Sequence, residues 1–218
     1  MDRRYELIVF DWDGTLLDSA AAIVRAIQSA CRDLGLPVPT QARARHVIGL
    51  GLDEALGYAV PELARADFPK MVERYRYHYL ARDHELALFA GAAALVERLA
   101  RDGRMLAVAT GKSRHGLTRA LSHAGLGAHF HATRCADECF SKPHPAMLLE
   151  LMDELVTEPA RTLMIGDTSH DLEMAHNAGV DAVAISHGAH DAAALRALPH
   201  RVCVDSIAAL DRWLAQNA

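Results

Sequence analysis

The stretch Phe10-Asp11-Trp12-Asp13-Gly14-Thr15-Leu16-Leu17-Asp18-Ser19 is the part of the chain around which the rest is organised. It follows the unbroken apolar run Leu7-Ile8-Val9-Phe10, which predicts a strand buried on both faces. Two carboxylates at the end of a buried strand carry a cost in desolvation and mutual repulsion unless a cation or hydrogen-bond donors offset it. Gly14 allows the backbone to turn sharply. Taken alone, the peptide fits either a solvated Asp-Gly turn or a charged site.

The composition is that of an ordinary globular protein. The 218 residues are 51% hydrophobic and 23% charged, with a formal net charge of −5. This length fits one α/β core, or a core with a small second domain. The negative charge argues against a nucleic-acid or membrane partner. The first apolar run ends too early for a secretory signal, and no stretch is long enough to span a bilayer, so we expect a cytoplasmic protein.

Strand and helix patterns alternate along most of the chain. Helical spacing predicts a helix over residues 20–34, capped by Asp18 or Ser19, and helical pieces over residues 41–83. Short apolar runs predict later strands at residues 105–109, 130–134, 162–165, 182–185 and 202–204. Further helices are predicted at residues 92–101, 113–124, 145–156, 169–178 and 207–215. This alternation is typical of right-handed βαβ crossovers.

The pattern therefore predicts an α/β fold with a doubly wound parallel sheet and an inserted all-helical domain. The insertion, residues 16–83, interrupts the alternation directly after the first strand. Residues 1–15 and 84–218 are predicted to form the α/β core. We interpret the tyrosines of the insertion, Tyr75, Tyr77 and Tyr79, as helix packing.

Unusual polar residues follow three of the predicted strands. They are Asp11 with Asp13, Thr110 with Gly111, and Asp167 with Asp171 four residues further on. Lys142 lies in a loop just before a predicted helix. Ligands bind outside the carboxyl ends of the strands in an open parallel sheet, so we expect all of these residues at one edge.

Together these residue types are typical of a phosphoryl-transfer site. Clustered carboxylates favour a hard cation, and Mg²⁺ is the one that shares its ligands with phosphate. We expect Thr110 and Gly111 to open a helix, where free N–H groups favour an anion, and Lys142 to add a positive charge. Each residue alone fits an N-cap, a solvated loop lysine or a turn. Their conjunction at successive strand ends is what predicts the site.

The same segments resemble the four ordered motifs of the haloacid dehalogenase superfamily. These are Asp11-Trp12-Asp13-Gly14-Thr15, Thr110, Lys142-Pro143 and Gly166-Asp167-Thr168-Ser169-His170-Asp171. The insertion is similar to the cap of the phosphatase-like members, and the chain resembles phosphoglycolate phosphatase-like hydrolases most. The resemblance implies a Rossmann-like core and a Mg²⁺-dependent phosphatase, a phosphoric monoester hydrolase, acting on a small-molecule phosphate ester.

The resemblance also implies a role for each acidic residue of the first and fourth motifs. Asp11 would be the nucleophile that forms an aspartyl-phosphate. Asp13 would protonate the leaving alkoxide and later take a proton from water. Asp11 and Asp167 would ligate Mg²⁺ through their side chains, and Asp13 through its backbone carbonyl.

The remaining motif residues are implied to bind the substrate or to support the metal site. Thr110, the Gly111 amide and Lys142 would hold the phosphoryl oxygens. Asp171 would support the metal site or orient Lys142. The segment Arg43–Glu54, with Arg45 and His46, is expected to contact the leaving group.

Several alternatives stay open at this point. A pyrophosphatase or a nucleotidase fits the same motifs, and a non-catalytic binding protein on this scaffold is a further alternative. Asp13 disfavours a dehalogenase or a phosphonate hydrolase, and Ile23 disfavours a β-phosphoglucomutase-like enzyme. Thr110-Gly111-Lys112 stands where phosphoglycolate phosphatases often carry Thr-Asn-Lys, which leaves the substrate open.

Overall fold

The computed structural model describes residues 4–218 and contains one six-stranded parallel sheet. Its strands are β1 (Leu7–Phe10), β2 (Met105–Thr110), β3 (Ala132–Cys135), β4 (Thr162–Gly166), β5 (Asp181–Ile185) and β6 (Val202–Val204). They lie in the order β3-β2-β1-β4-β5-β6. The predicted doubly wound parallel sheet is confirmed. Residues 1–3, which belong to the predicted core segment 1–15, lie outside the described part of the chain.

The described residues contain ten α-helices, which lie between the strands and after the last of them in the chain. They are α1 (Ala20–Asp33), α2 (Gln41–His46), α3 (Leu52–Ala59), α4 (Phe68–Leu80), α5 (Ala92–Arg101), α6 (Arg114–Ala124), α7 (Ala146–Glu154), α8 (Ser169–Asn177), α9 (Ala192–Arg196) and α10 (Ile207–Asn217). The sequence did not predict α9, because five residues are too few to show a helical period. Over residues 4–218, none of the helices has the length and apolar character of a membrane span.

Side chains of β1 alternate between the two faces of the sheet. Ile8 and Phe10 pack with α5, α6 and α10, whereas Leu7 and Val9 pack with α7 and α8. All four side chains are fully buried. This is the two-sided burial that the unbroken apolar run predicts, since successive residues of a strand point to opposite faces.

Helices α1 to α4 form a separate hydrophobic cluster above the carboxyl edge of the sheet. The chain enters and leaves this cluster through neighbouring segments. The Asp18 N–H donates to the Ala87 carbonyl at 3.0 Å, and the Phe89 N–H donates to the Leu16 carbonyl at 2.9 Å. We propose that residues 16–83 form a cap domain and that the rest of the chain forms the core.

Strand β1 lies at the centre of the sheet, between β2 and β4. Phe10 pairs with Val108 on one side and with Ile165 on the other. The chain order of the strands reverses at this point, and in such sheets the reversal leaves a crevice beyond the strand ends. Asp11, the residue after Phe10, therefore lies where an α/β fold places its ligand site.

Candidate active site

Asp11 is fully buried at the end of β1, and its two carboxylate oxygens differ in their surroundings. Oδ1 accepts a hydrogen bond of 2.7 Å from Lys142 Nζ. Oδ2 is buried and has no hydrogen-bond partner among residues 4–218. A buried carboxylate oxygen without a hydrogen-bond donor raises the free energy of the folded protein, which indicates that a ligand binds to this oxygen. A cation bound beside Oδ2 would satisfy it.

Lys142 connects Asp11 to the helix-capping residues of α8. Its Nζ also donates to Asp171 Oδ1 at 2.6 Å, and all three side chains are at most 1% exposed. Asp171 Oδ2 accepts from the Thr168 N–H at 3.0 Å and from the Thr168 hydroxyl at 2.7 Å. Although burial disfavours its ammonium form, Asp11 and Asp171 raise the pKa of Lys142. Of the two roles predicted for Asp171, the geometry fits that of orienting Lys142.

Asp167, at the end of β4, is held by donors from two other loops. The Thr15 hydroxyl donates to Oδ1 at 2.7 Å, and the Ala189 N–H donates to Oδ2 at 2.6 Å. A Cβ atom at Gly14 or Gly188 would lie 2.2 or 2.1 Å from Oδ2, so only glycine fits at either position. Thr15 and the 188–190 loop were not predicted to take part in the site.

The acidic cluster is suited to a hard divalent cation. Ligand atoms of Asp11, Asp167 and Asp171 lie within 4.8 Å of one another. Burial raises the pKa of Asp11 well above that of an exposed aspartate, against the opposing charge of Lys142, and Asp171 and Asp167 raise it further. Burial, with the charge of Asp171, raises the pKa of Asp167 to about 7. The carboxyl groups of Asp11, Asp167 and Asp171 lie close to a single ammonium group, that of Lys142. A cation that binds oxygen ligands would offset the excess negative charge.

Asp13 is 6% exposed and lies on the wall of the cavity beside this cluster. The Ser19 hydroxyl donates to its Oδ1 at 2.6 Å, and Lys112 Nζ lies 3.0 Å from its Oδ2. Lys112 Nζ also donates to the hydroxyl of Tyr79 in the cap at 3.0 Å. Ser19 is the N-cap residue of α1 as predicted, but its side chain does not cap the helix, because its hydroxyl binds Asp13.

The expectation that Thr110 and Gly111 open a helix is wrong. Helix α6 begins at Arg114, and its N-cap is Ser113, whose hydroxyl accepts from the Gly116 N–H at 3.3 Å. The Thr110 hydroxyl instead accepts from the Lys112 N–H at 3.2 Å. Thr110 and Gly111 still line the cavity together with Asp11. Their predicted contact with a phosphoryl group therefore rests on loop amides, not on a helix end.

Arg45 and His46 are not among the residues that line the cavity in the described part of the chain, so their predicted contact with the leaving group stays a prediction. Arg45 donates hydrogen bonds of 2.5 and 3.0 Å to the carbonyls of Gly188 and Ala189. The His46 ring stacks on His190 at 5.3 Å. We call Arg45, His46, Gly188, Ala189 and His190 together the cap–core contact. The remainder of the predicted segment, Val47–Glu54, does line the cavity.

The cavity itself lies between helices α1, α3 and α4 and the carboxyl edge of the sheet, and has a volume of about 1370 Å³. Asp11, Asp13, Thr110 and Gly111 line its core side. A carboxylate that can attack, a second carboxylate beside it and room for a ligand are thus brought together. This is the arrangement needed for nucleophilic and acid–base chemistry on a bound ester.

Residues 8–185 match the family model of the haloacid dehalogenase-like hydrolases. The chain belongs to this family. Among its relatives, the probable phosphatase IndB of Dickeya dadantii is 37% identical over 206 residues, which are 92% of this chain and 89% of IndB. The phosphoglycolate phosphatase of Agrobacterium fabrum is 30% identical over 210 residues, which are 94% of this chain and 90% of that protein.

A comparison with solved structures shows that the fold is shared with other proteins. A crystal structure of a predicted phosphoglycolate phosphatase from Haemophilus somnus matches with a TM-score of 0.84 at 24% identity. The match covers 98% of this chain and 99% of the chain in that structure. Within this haloacid dehalogenase-like hydrolase, all four motif segments lie at the carboxyl edge of the sheet. Three are at the ends of β1, β2 and β4, and the fourth reaches them through the side chain of Lys142.

Proposed function

We propose that this hydrolase is a Mg²⁺-dependent phosphatase that cleaves a small phosphomonoester through an aspartyl-phosphate on Asp11. The surroundings of Asp11 carry the proposal. Lys142 orients one carboxylate oxygen, and the other has no hydrogen-bond partner within the part of the chain that the structure describes. Ligand atoms of Asp167 and Asp171 lie within 4.8 Å of those of Asp11. Relatives that bear the name phosphoglycolate phosphatase make phosphoglycolate the reference substrate.

The metal would be held by the side chains of Asp11 and Asp167, and by the backbone carbonyl of Asp13. The carboxylates supply oxygen ligands only, which suits Mg²⁺. When bound, the ion would offset the repulsion between the Asp11 carboxylate and an approaching phosphate. Asp171 would remain with Lys142, to which it is already bound.

The first chemical step transfers the phosphoryl group to the enzyme. An oxygen of Asp11 forms a bond to phosphorus while the bond from phosphorus to the leaving oxygen breaks. Asp13 donates a proton to that leaving oxygen, so the alcohol departs neutral. Thr110, the Gly111 amide and Lys142 would hold the remaining phosphoryl oxygens in place.

The second step releases phosphate. Asp13, now ionised, takes a proton from a water molecule, whose oxygen bonds to phosphorus as the bond to Asp11 breaks. Ser19 and Lys112 hold the Asp13 carboxyl at the cavity in both steps. Closure of the cap over the cavity would exclude other water from the acyl-phosphate.

Hydrolysis of p-nitrophenyl phosphate tests this proposal directly. We expect turnover in Mg²⁺ that stops when EDTA is added, and a loss of at least about 1,000-fold in Asp11→Asn, which keeps the shape of the side chain but cannot form the intermediate. A folded, Mg²⁺-loaded protein with no turnover above Asp11→Asn would support a binding protein instead. A screen that includes phosphoglycolate, pyrophosphate and nucleoside monophosphates then separates the alternatives.

A further inference from the structure

The cavity extends far beyond the catalytic carboxylates, between cap helix α4 and core helix α6. Part of α6 lines it, from the N-cap residue Ser113 to the last helical residue, Ala124, so the cavity follows this helix over its whole length. At 1.5 Å per residue, the eleven residues of α6 span about 16 Å. The volume of about 1370 Å³ exceeds the roughly 300–1,000 Å³ of ordinary small-molecule sites. A leaving group of two carbons, such as glycolate, would leave most of this space unfilled.

Two tyrosines form the cap wall of this cavity. The rings of Tyr75 and Tyr79 stack with an interplanar angle of 23° and a centroid distance of 5.9 Å, and both residues line the cavity. The wall begins beside the acid–base carboxylate, because Lys112 Nζ contacts both Tyr79 and Asp13 at 3.0 Å. A leaving group whose oxygen is protonated by Asp13 therefore has these rings next to it. The interpretation of Tyr75 and Tyr79 as helix packing alone is thus incomplete.

The remaining lining is mixed, and its apolar part continues the wall formed by the two tyrosines. Val72 and Leu80 extend the wall along α4, and Leu86 and Leu88 line the cavity where the chain returns to the core. Among the basic residues of the lining, Arg119, on the opposite wall, is ion-paired with Asp83 at 2.7 Å. Lys112 is ion-paired with Asp13 in the same way. A small leaving group that bears a carboxylate would need a positively charged partner. To gain one here, it would have to compete with Asp83 for Arg119 or with Asp13 for Lys112.

We propose that the natural substrate is a phosphomonoester with an elongated, ring-bearing leaving group that lies against Tyr75 and Tyr79. This inference rests on the proposed phosphatase function and narrows its substrate class. Aromatic rings gain from offset or edge-to-face contacts with one another, and the parts of Tyr75 and Tyr79 that line the cavity offer such contacts to a ring of the substrate. Lys112 Nζ lies over the Tyr79 ring, 4.7 Å from its centroid, so Tyr75 is the residue chosen for the test. Binding energy from this remote part of the substrate would be available to position the ester at Asp11.

The test compares two phosphates of primary alcohols, 2-phenylethyl phosphate and phosphoglycolate, with ethyl phosphate as the ester that lacks a ring. For the unmodified enzyme in Mg²⁺, we expect kcat/KM for 2-phenylethyl phosphate to exceed that for phosphoglycolate at least tenfold. In Tyr75→Ala, kcat/KM for 2-phenylethyl phosphate should fall about tenfold, while that for ethyl phosphate changes less than twofold. Tyr75→Phe keeps the ring and should keep the preference.

Tyr77→Ala is the matched control. Tyr77 lies on the same helix, is 60% exposed and does not line the cavity, so its removal should leave all three rates unchanged. The comparison of substrates in the unmodified enzyme needs no variant, and therefore holds even if Tyr75→Ala fails to fold. Equal or better hydrolysis of phosphoglycolate would overturn the inference and leave the phosphatase function standing. Failure to hydrolyse any ester, p-nitrophenyl phosphate included, would overturn the proposed function itself.

Discussion

The guanidinium of Arg45 donates a hydrogen bond of 2.5 Å to the carbonyl oxygen of Gly188. The next residue, Ala189, donates its N–H to Asp167 on the other side of the same loop. Arg45 belongs to the segment proposed as the cap, and Asp167 is a proposed ligand of the metal. One short loop thus connects the position of the cap to the orientation of a carboxylate in the site.

Replacing Arg45 by Ala should lower kcat/KM by about ten- to a hundredfold for every substrate, without changing the order of preference among them. The variant loses two charge-assisted hydrogen bonds that hold the cap against the core, each worth about 1.5–3 kcal/mol. Steady-state kinetics on three unrelated phosphomonoesters measures both the fall in kcat/KM and the order of preference. Arg43→Ala, on the same helix, is the control and should match the unmodified enzyme. A changed order of preference in Arg45→Ala would show that Arg45 contacts the leaving group.

Gly111→Ala should prevent the cap from reaching the position seen here. A Cβ atom at this residue would lie 2.4 Å from the Leu50 carbonyl oxygen and 2.6 Å from that of Gly49. We expect kcat/KM to fall about a hundredfold while the unfolding temperature of the core changes little. Gly57→Ala is the control, since its nearest neighbour would be 3.9 Å away, and it should stabilise α3 by about 0.5–1 kcal/mol. Normal kinetics in Gly111→Ala would contradict the closed arrangement.

Lys142→Met should destabilise the protein as well as inactivate it. The substitution leaves Asp11 and Asp171 buried without their shared counter-charge, and breaking a buried ion pair typically costs about 3–5 kcal/mol. Urea unfolding in EDTA measures the free energy of unfolding. Lys70→Met, whose side chain is 71% exposed, should change it by less than about 1 kcal/mol. Equal stabilities for the two variants would rule out this structural role of Lys142.

Asp13→Asn should separate the two chemical steps. p-Nitrophenolate leaves without being protonated, so the first step should remain fast with p-nitrophenyl phosphate, while hydrolysis of the aspartyl-phosphate lacks its base. We expect a burst of one p-nitrophenol per enzyme, followed by a steady rate about 100- to 10,000-fold below normal. Rapid-mixing absorbance measurements detect the burst. A slow rate with no burst would mean that Asp13 acts before or during the first step even with this substrate.

Binding of Mg²⁺ should weaken as the pH falls below 7. In the metal-free protein burial raises the pKa of Asp167 to about 7, and a carboxyl group must lose its proton to ligate a metal. Below that pH each unit should cost up to about tenfold in affinity, and above it the affinity should level off. Calorimetric titration in buffers of different ionisation enthalpy reports the proton released on binding. An affinity that is constant from pH 5.5 to 7.5 would contradict this.

The sequence predicted those parts of the molecule that depend on local pattern. An apolar run flanked by carboxylates placed Asp11 at a strand end, and the alternation of strands and helices brought Thr110 and Asp167 to the same edge, as the sheet confirms. These inferences needed only the period of the side chains and the rules for parallel sheets. The predicted helix over residues 113–124 agrees with α6, whose N-cap is Ser113. The separate expectation that Thr110 and Gly111 open a helix was wrong, because threonine and serine are both common N-cap residues and residue type alone does not decide between them.

Other parts of the site depend on contacts between distant segments and leave no local pattern. Lys112 matches the lysine of the Thr-Asn-Lys segment that phosphoglycolate phosphatases often carry, but the sequence assigned it no role. Its contacts with Asp13 and Tyr79 join segments that are distant in the chain and could not be predicted locally. The same holds for Arg45, whose partners lie more than 140 residues away. The sequence did offer one signal at Gly188, because a glycine in a loop after a strand often marks a close approach of the backbone to another group. The sequence does not indicate that this group is Asp167.

The two crossings between cap and core lie side by side, where Leu16 and Asp18 are hydrogen-bonded to Phe89 and Ala87. An insertion attached in this way adds nothing to the strand order of the sheet and can be exchanged as a unit. Chimeras that carry the cap of a relative between these two crossings should retain the chemistry of the core. Substrate range and reaction mechanism can therefore diverge independently during the evolution of this architecture.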